Sequence, residues 1–190
     1  MQRVGVVGPE SSGKTTLVRQ LGVVLRRRGV PVAVVDEYAR DYYAAGSGHR
    51  YDPGDAADIA AVARGQRQAE DEAAARLGVG VLICDTTPLS CRIWAEEATG
   101  TVPTEVADAD EPSRYALHLV TSPDLPWSAD PLRVTPDPEA RVRILRRHLD
   151  LLRGAGVPLV VISGQDTSER LGKSLSAVQT LVGRTGAVTP

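Results

Sequence analysis

Chemistry is densest in the run GPESSGKTTL, Gly8 to Leu17, which follows the apolar VGVV and precedes a helical pattern. Gly8, Gly13, Lys14 and Thr15 satisfy G-x-x-x-x-G-K-[ST] without a mismatch. In such a loop the glycines let backbone N–H groups, here those around Ser11 and Ser12, turn inward on phosphate oxygens at the positive end of a helix. Lysine then reaches the β/γ-phosphates, and the threonine hydroxyl is placed for Mg²⁺. The run predicts a nucleotide site and leaves open whether it serves a switch, a motor or a kinase.

Three further groups could complete such a site. Asp85 ends the apolar run VGVLICD, where a carboxylate at the carboxyl edge of a strand can hold Mg²⁺, or can instead cap the next helix. Asp36 and Glu37 end a second strand in VVDEYARDY. Either can take the proton of an acceptor hydroxyl, or can be a cap or an ion-pair partner of Arg40. Arg133 and Arg141 flank the end of the proline-rich stretch TSPDLPWSADPLRVTPDP, where they are placed to close over a transferring phosphate or to remain solvated.

These residues need a scaffold with several strand ends on one edge, and the chain supplies it. Five short runs rich in Val, Ile and Leu read as strands buried on both faces: RVGVVG, VAVVDE, VGVLICDT, ALHLVTS and PLVVISG. They alternate with helical patterns, which predicts an α/β fold with a mainly parallel sheet. Lys14 to Arg28 carries Leu17, Leu21, Val24 and Leu25 on one stripe and stops at Gly29. Asp55 to Leu77 is a second helix, Asp137–Pro138–Glu139 opens a third, and a last one spans about Thr167 to Val182. Thr99 to Ser113 shows no clean periodicity and reads as irregular. The proline-rich stretch is expected to be a lid or binding loop, since a compact domain has little other use for one. The expected layout is one domain over residues 1–183, a lid at about 123–141, and a loose tail at 184–190.

Bulk properties exclude other classes. The 190 residues carry a net charge of -2 with 42% hydrophobic residues, so there is neither a basic stripe for nucleic acid nor a membrane-spanning run. The start MQRVGVVGPE has no secretory pattern, which makes the cytoplasm the default expectation. Cys84, Cys91, His49, His118 and His148 are too scattered for a zinc cluster. A GTPase switch would carry D-x-x-G and N-K-x-D, but DTTP follows the third strand and N-K-x-D is absent. An ABC-type ATPase would need its signature and a longer chain, and a mechanical AAA-type ATPase a helical second domain. A small phosphotransferase remains.

GPESSGKTTL, DEYARDY, GQRQ, CDTTPLSCRIW and PWSADPLR, in that order, make the chain resemble the ribosylnicotinamide kinase domain of bifunctional NMN adenylyltransferase/ribosylnicotinamide kinase proteins. The likeness runs from Val4 to about Arg170. It implies a P-loop NTPase three-layer sandwich with a five-stranded parallel core, helices on both faces and a lid. It also implies ATP and Mg²⁺, and phosphorylation of the 5′-hydroxyl of nicotinamide riboside to NMN in NAD salvage. By this resemblance Gly13, Lys14, Thr15 and Thr16 meet ATP and Mg²⁺, and Glu37 and Arg40 lie beside the acceptor. Gln66 lines the acceptor site, Asp85 holds metal or acceptor, and Trp127, Asp130 and Arg133 belong to the lid. Trp127 could stack on a flat cationic ring or pack the lid down; Trp94 reads as core. The chain departs from many relatives at Thr87, where they carry a second carboxylate, and the adenylyltransferase motif H-x-G-H is absent. Two alternatives stand beside this reading: a kinase for another nucleoside or small alcohol, and a regulatory ATPase.

Overall fold

The computed structural model describes residues 1–45, 52, 54–76 and 78–186, with side chains to residue 183. His49 and the end of the expected tail, residues 187–190, lie outside them. All five expected strands form: β1 (Gln2–Val7), β2 (Val32–Val35), β3 (Val81–Asp85), β4 (Leu117–Thr121) and β5 (Leu159–Ile162). They pair in parallel in the order β2-β3-β1-β4-β5. The central strand β1 is flanked by β3 and β4, with Val6 opposite Asp85 and Val7 opposite Val120, so the phosphate loop and Asp85 leave the sheet side by side. The order reverses at β1, where open α/β sheets bind ligands.

Helices cover both faces. On one, α1 (Lys14–Arg27) and α7 (Thr167–Gly186) bury Leu17, Leu21, Leu25, Leu175 and Val178 against Val4, Val6 and Leu119. On the other lie α3 (Ala56–Ala74), α4 (Pro88–Thr99) and α6 (Pro138–Gly154), the last burying Ile144 and Leu152 against Val7 and Val120. Caps agree with the residues that signalled them. Asp55 accepts from Ala57 and Asp58 N–H, and Asp137 from Ala140 N–H. Helix α7 continues to Gly186, past its expected end at Val182.

Two short helices depart from the expected layout. The stretch from Thr99 to Ser113 is not irregular throughout: it contains α5 (Thr104–Ala109), anchored by buried Val106 and Ala109 against α3. Two apolar anchors in six residues are too few to show a period. Helix α2 (Tyr38–Ala44) has no fully buried residue; Ala39, Tyr42 and Tyr43 pack on the core partly exposed, too short a stripe to announce a helix. Among the described residues no helix is long and apolar enough to cross a membrane.

Candidate functional site

The loop between β1 and α1 has the geometry its glycines demand. Gly8 has φ 141°, and a Cβ there would sit 2.5 Å from the Thr121 carbonyl oxygen, so no other residue fits. Gly13 caps α1 in the left-handed region at φ 82°. The Ser12 hydroxyl donates to the Pro9 carbonyl at 2.7 Å and lies 2.6 Å from the Thr121 hydroxyl, tying the loop to β4. Lys14 Nζ donates to the carbonyls of Gly8 (2.9 Å) and Pro9 (3.0 Å). An ammonium has three N–H donors, so one remains for a phosphate oxygen. Burial lowers the Lys14 pKa, against the pull of Glu37, Asp85 and Glu10.

Beside Lys14 sit two oxygen donors, Asp85 and Thr15, that could hold a divalent cation. Asp85 is buried, its carboxylate within hydrogen-bonding reach of Thr15, and its Oδ1 has no hydrogen-bond partner. Desolvation raises its pKa even though Thr15 and Lys14 favour the charge. A buried, half-satisfied carboxylate next to a hydroxyl at a helix start suits Mg²⁺, which takes one or two protein oxygens and completes its shell with phosphates and water.

A cavity of about 120 Å³ opens from the loop. Its polar end is walled by Gly13, Lys14, Thr15, Thr16, Glu37 and Arg133, and its other end by Tyr43, Ile59, Val62, Cys91 and Trp94. Thr86 and Ser90 also line it, the Thr86 hydroxyl donating to Ser90 Oγ at 2.9 Å. Thr86 has φ 72°, a costly conformation for a β-branched residue, and it lies where β3 hands the chain from Asp85 to α4. Glu37 and Arg40 both line the cavity. Arg40 donates to Glu37 Oε2 (2.9 Å) and to Asp130 Oδ2 (3.0 Å), bridging the end of β2 to the lid. Burial works against the Arg40 charge, but Glu37 and Asp130 outweigh it and raise its pKa.

Several anticipated residues sit elsewhere than expected. Asp36 is exposed and outside the cavity wall, while its neighbour Glu37 is in it. Gln66 does not line the cavity: it is 1% exposed, its Oε1 accepts the Tyr38 N–H at 3.0 Å, and its Nε2 donates to Glu70 at 3.0 Å. Arg141 does not face it either. Its guanidinium donates to the backbone carbonyls of Glu10 (3.1 Å), Ser11 (3.2 Å) and Leu125 (3.3 Å), which makes it a fastener between loop and lid. Trp127 lies outside the cavity wall, with the Arg141 guanidinium 5.8 Å from its ring centroid. Trp94, read as core, packs partly on the core and partly lines the cavity. Thr87 is buried, its Oγ1 unpartnered and outside the cavity wall.

Glu10, Tyr43 and Arg170 also shape the site, and none belongs to a motif that assigns it a role. An acid inside a phosphate loop was a visible oddity. Tyr43 lies on α2, whose stripe of Ala39, Tyr42 and Tyr43 on the core is too short to read. Arg170 is 3% exposed, and it donates to the Ser12 carbonyl (2.6 Å) and the Gly164 carbonyl (2.9 Å) from the first turns of α7. No local pattern marks it.

No curated protein matches the chain. Among solved structures, it is similar to a NadR protein in complex with NR, with a TM-score of 0.72, 24% identity, and coverage of 96% of this chain and 51% of that one. It is likewise similar to a NadR protein in complex with NAD and AMP-PNP, with a TM-score of 0.69, 25% identity, and coverage of 96% and 50%. The chain therefore spans about half the length of these NadR chains. Motif resemblance and structural neighbours point to the same proteins, and the fold is that of a P-loop NTPase. Residues 3–170 match the model of the family described as AAA domain, and the chain belongs to that P-loop family.

Proposed function

We propose that the protein is an ATP-dependent kinase acting on the hydroxyl of a small nucleoside, with nicotinamide riboside as its acceptor and NMN as the product. The observation that carries this reading is the two-ended cavity, with a phosphate loop at one end and an aromatic-flanked, apolar end at the other. Its volume is on the scale of the ~150 Å³ that holds one benzene ring. The 25%-identical NadR structure, about half of whose length this chain covers, is in complex with NAD and AMP-PNP, a pyridine nucleotide and a triphosphate analogue, which supports the reading.

On this reading Tyr43 and Trp94 flank the cationic pyridinium ring of the acceptor, since aromatic faces attract cations. Glu37, steadied by Arg40, accepts the proton of the 5′-hydroxyl as its oxygen bonds to the γ-phosphorus and the bond to the departing ADP oxygen breaks. Lys14 and Arg133 neutralise charge on the phosphates. Thr15 and Asp85 would hold Mg²⁺, which when bound supplies further neutralisation of the phosphate charge. The loop at Ser163 to Asp166 is the candidate adenine wall: Gly164 N–H donates to Asp124 at 2.7 Å, and Arg170 ties that loop to the Ser12 carbonyl.

The test is to incubate purified protein with Mg-ATP and a panel of nucleosides including nicotinamide riboside, following ADP release and product mass. The expected product is NMN. Phosphorylation of another nucleoside alone would overturn the acceptor assignment and keep the kinase. ATP consumption with every acceptor unmodified would favour a regulatory ATPase.

A further inference from the structure

Glu10 is out of place electrostatically, because a loop that wraps phosphates gains nothing from a carboxylate of its own. It is nonetheless 8% exposed and well bonded. Its carboxylate accepts the backbone N–H of Val134 (3.0 Å) and of Thr135 (2.9 Å), both in the proline-rich lid. The next residue, Ser11, is in the left-handed region at φ 55°, and its Oγ accepts the Ser128 N–H at 2.9 Å and an Arg133 N–H at 3.3 Å. Arg141 closes the set through the Glu10 and Ser11 carbonyls. Between these fastenings lies Arg133, the lid arginine that reaches the cavity wall.

We infer that Glu10 is a positioning residue: its carboxylate holds the Val134–Thr135 backbone against the phosphate loop and thereby keeps Arg133 over the phosphate end of the cavity. Two backbone N–H groups on one carboxylate fix both the distance and the direction of the lid strand, which a single side-chain contact would leave free to swing. The loop that binds the donor thus also seats the group that neutralises it. The latch stands on the hydrogen bonds alone, whereas its kinetic consequence rests on the phosphotransfer reading above.

The experiment has two arms on the full chain. In the first, backbone hydrogen exchange is read at Val134 and Thr135 for the wild type, Glu10→Gln and Glu10→Ala. Exchange is expected to rise at least tenfold in Glu10→Ala and less in Glu10→Gln, which keeps one acceptor oxygen, while β4 and α6 stay protected. In the second, Glu10→Ala and Arg133→Ala are each expected to lower kcat about tenfold or more, with KM for Mg-ATP changed less. The double variant is expected to be no worse than Arg133→Ala. Unchanged exchange at Val134 and Thr135 in a folded variant would overturn the latch. Multiplying losses in the double variant would overturn its action through Arg133. If the wild type phosphorylates no acceptor, the kinase reading fails while the exchange arm still decides the latch; if Glu10→Ala does not fold, Glu10→Gln carries both arms.

Discussion

Glu37 and Asp36 are adjacent in the chain, yet only Glu37 lines the cavity. Glu37 ends the extended backbone after β2 as the N-cap residue of α2, and its side chain turns into the cavity against Arg40, while Asp36 is exposed. If Glu37 is the general base, Glu37→Gln lowers kcat by about 10²–10⁴-fold, whereas Asp36→Asn leaves turnover near wild type. Steady-state kinetics on both variants checks this, and comparable losses in the two would remove the distinction. The tryptophans divide in the same way. Trp127 faces Arg141 and Trp94 faces the cavity. Trp94→Leu is therefore expected to raise the acceptor KM about tenfold, the size of a desolvated cation–π contact, and Trp127→Leu to leave it unchanged.

Helix α2 carries Arg40 and Tyr43 and has Glu37 as its N-cap, yet none of its residues is fully buried: Ala39, Tyr42 and Tyr43 pack partly exposed on the α3–α4 core, and Tyr42 donates to Asp58 at 2.8 Å. Its first turn has a further support in a buried chain: Tyr115 donates to Glu70 at 2.6 Å, Gln66 donates to Glu70, and Gln66 Oε1 accepts the Tyr38 N–H. Gly65 belongs to the same support, since a Cβ there would lie 2.0 Å from the Tyr38 ring. Gln66→Leu leaves the Tyr38 N–H and a Glu70 oxygen unpaired, at a cost of about 1–3 kcal/mol in stability. If the proposed acceptor site is right, it should also raise the acceptor KM more than the KM for ATP, because Tyr43 of α2 lies with Trp94 in the apolar part of the cavity wall. Urea unfolding alongside kinetics checks both; equal rises in the two KM values would mean that the whole site had moved. Much of this architecture was legible beforehand. Strands of uniform Val, Ile and Leu, capped amphipathic helices and a complete phosphate-loop motif announce themselves through period and spacing. The motif GQRQ marks Gln66 but not its task, because a side chain bonded to a backbone N–H 28 positions away has no signature along the chain. Arg141 was equally visible as a lid arginine, but only its bonds to loop carbonyls distinguish a fastener from a finger.

Across the whole molecule, the buried titratable groups set how its stability responds to acid. His118, on β4, is fully buried against Tyr115, and neither ring nitrogen has a hydrogen-bond partner. Desolvation pulls its pKa down to about 4. His148 on α6, its Nδ1 2.8 Å from the Ile144 carbonyl, is pulled down to about 3, again chiefly by burial. In both cases the unfolded chain binds a proton near pH 6.5 that the folded chain refuses. The stability they contribute is therefore complete above that pH and is lost as pH falls toward 4. Glu10, Glu70 and Asp85 act in the opposite sense. Burial raises their pKa values, so the fold gains from them as pH falls through the range just above their ordinary values. The wild-type curve mixes the two effects, and a difference between variants separates them. His118→Leu removes one depressed histidine and two orphaned nitrogens without touching the cavity wall. Between pH 6 and 5 the wild type is expected to lose stability relative to this variant by ~1.2 kcal/mol, a little under the value for one whole proton per pH unit. Urea unfolding of both proteins across that range measures the difference, and parallel curves would show that His118 takes up its proton in the folded state.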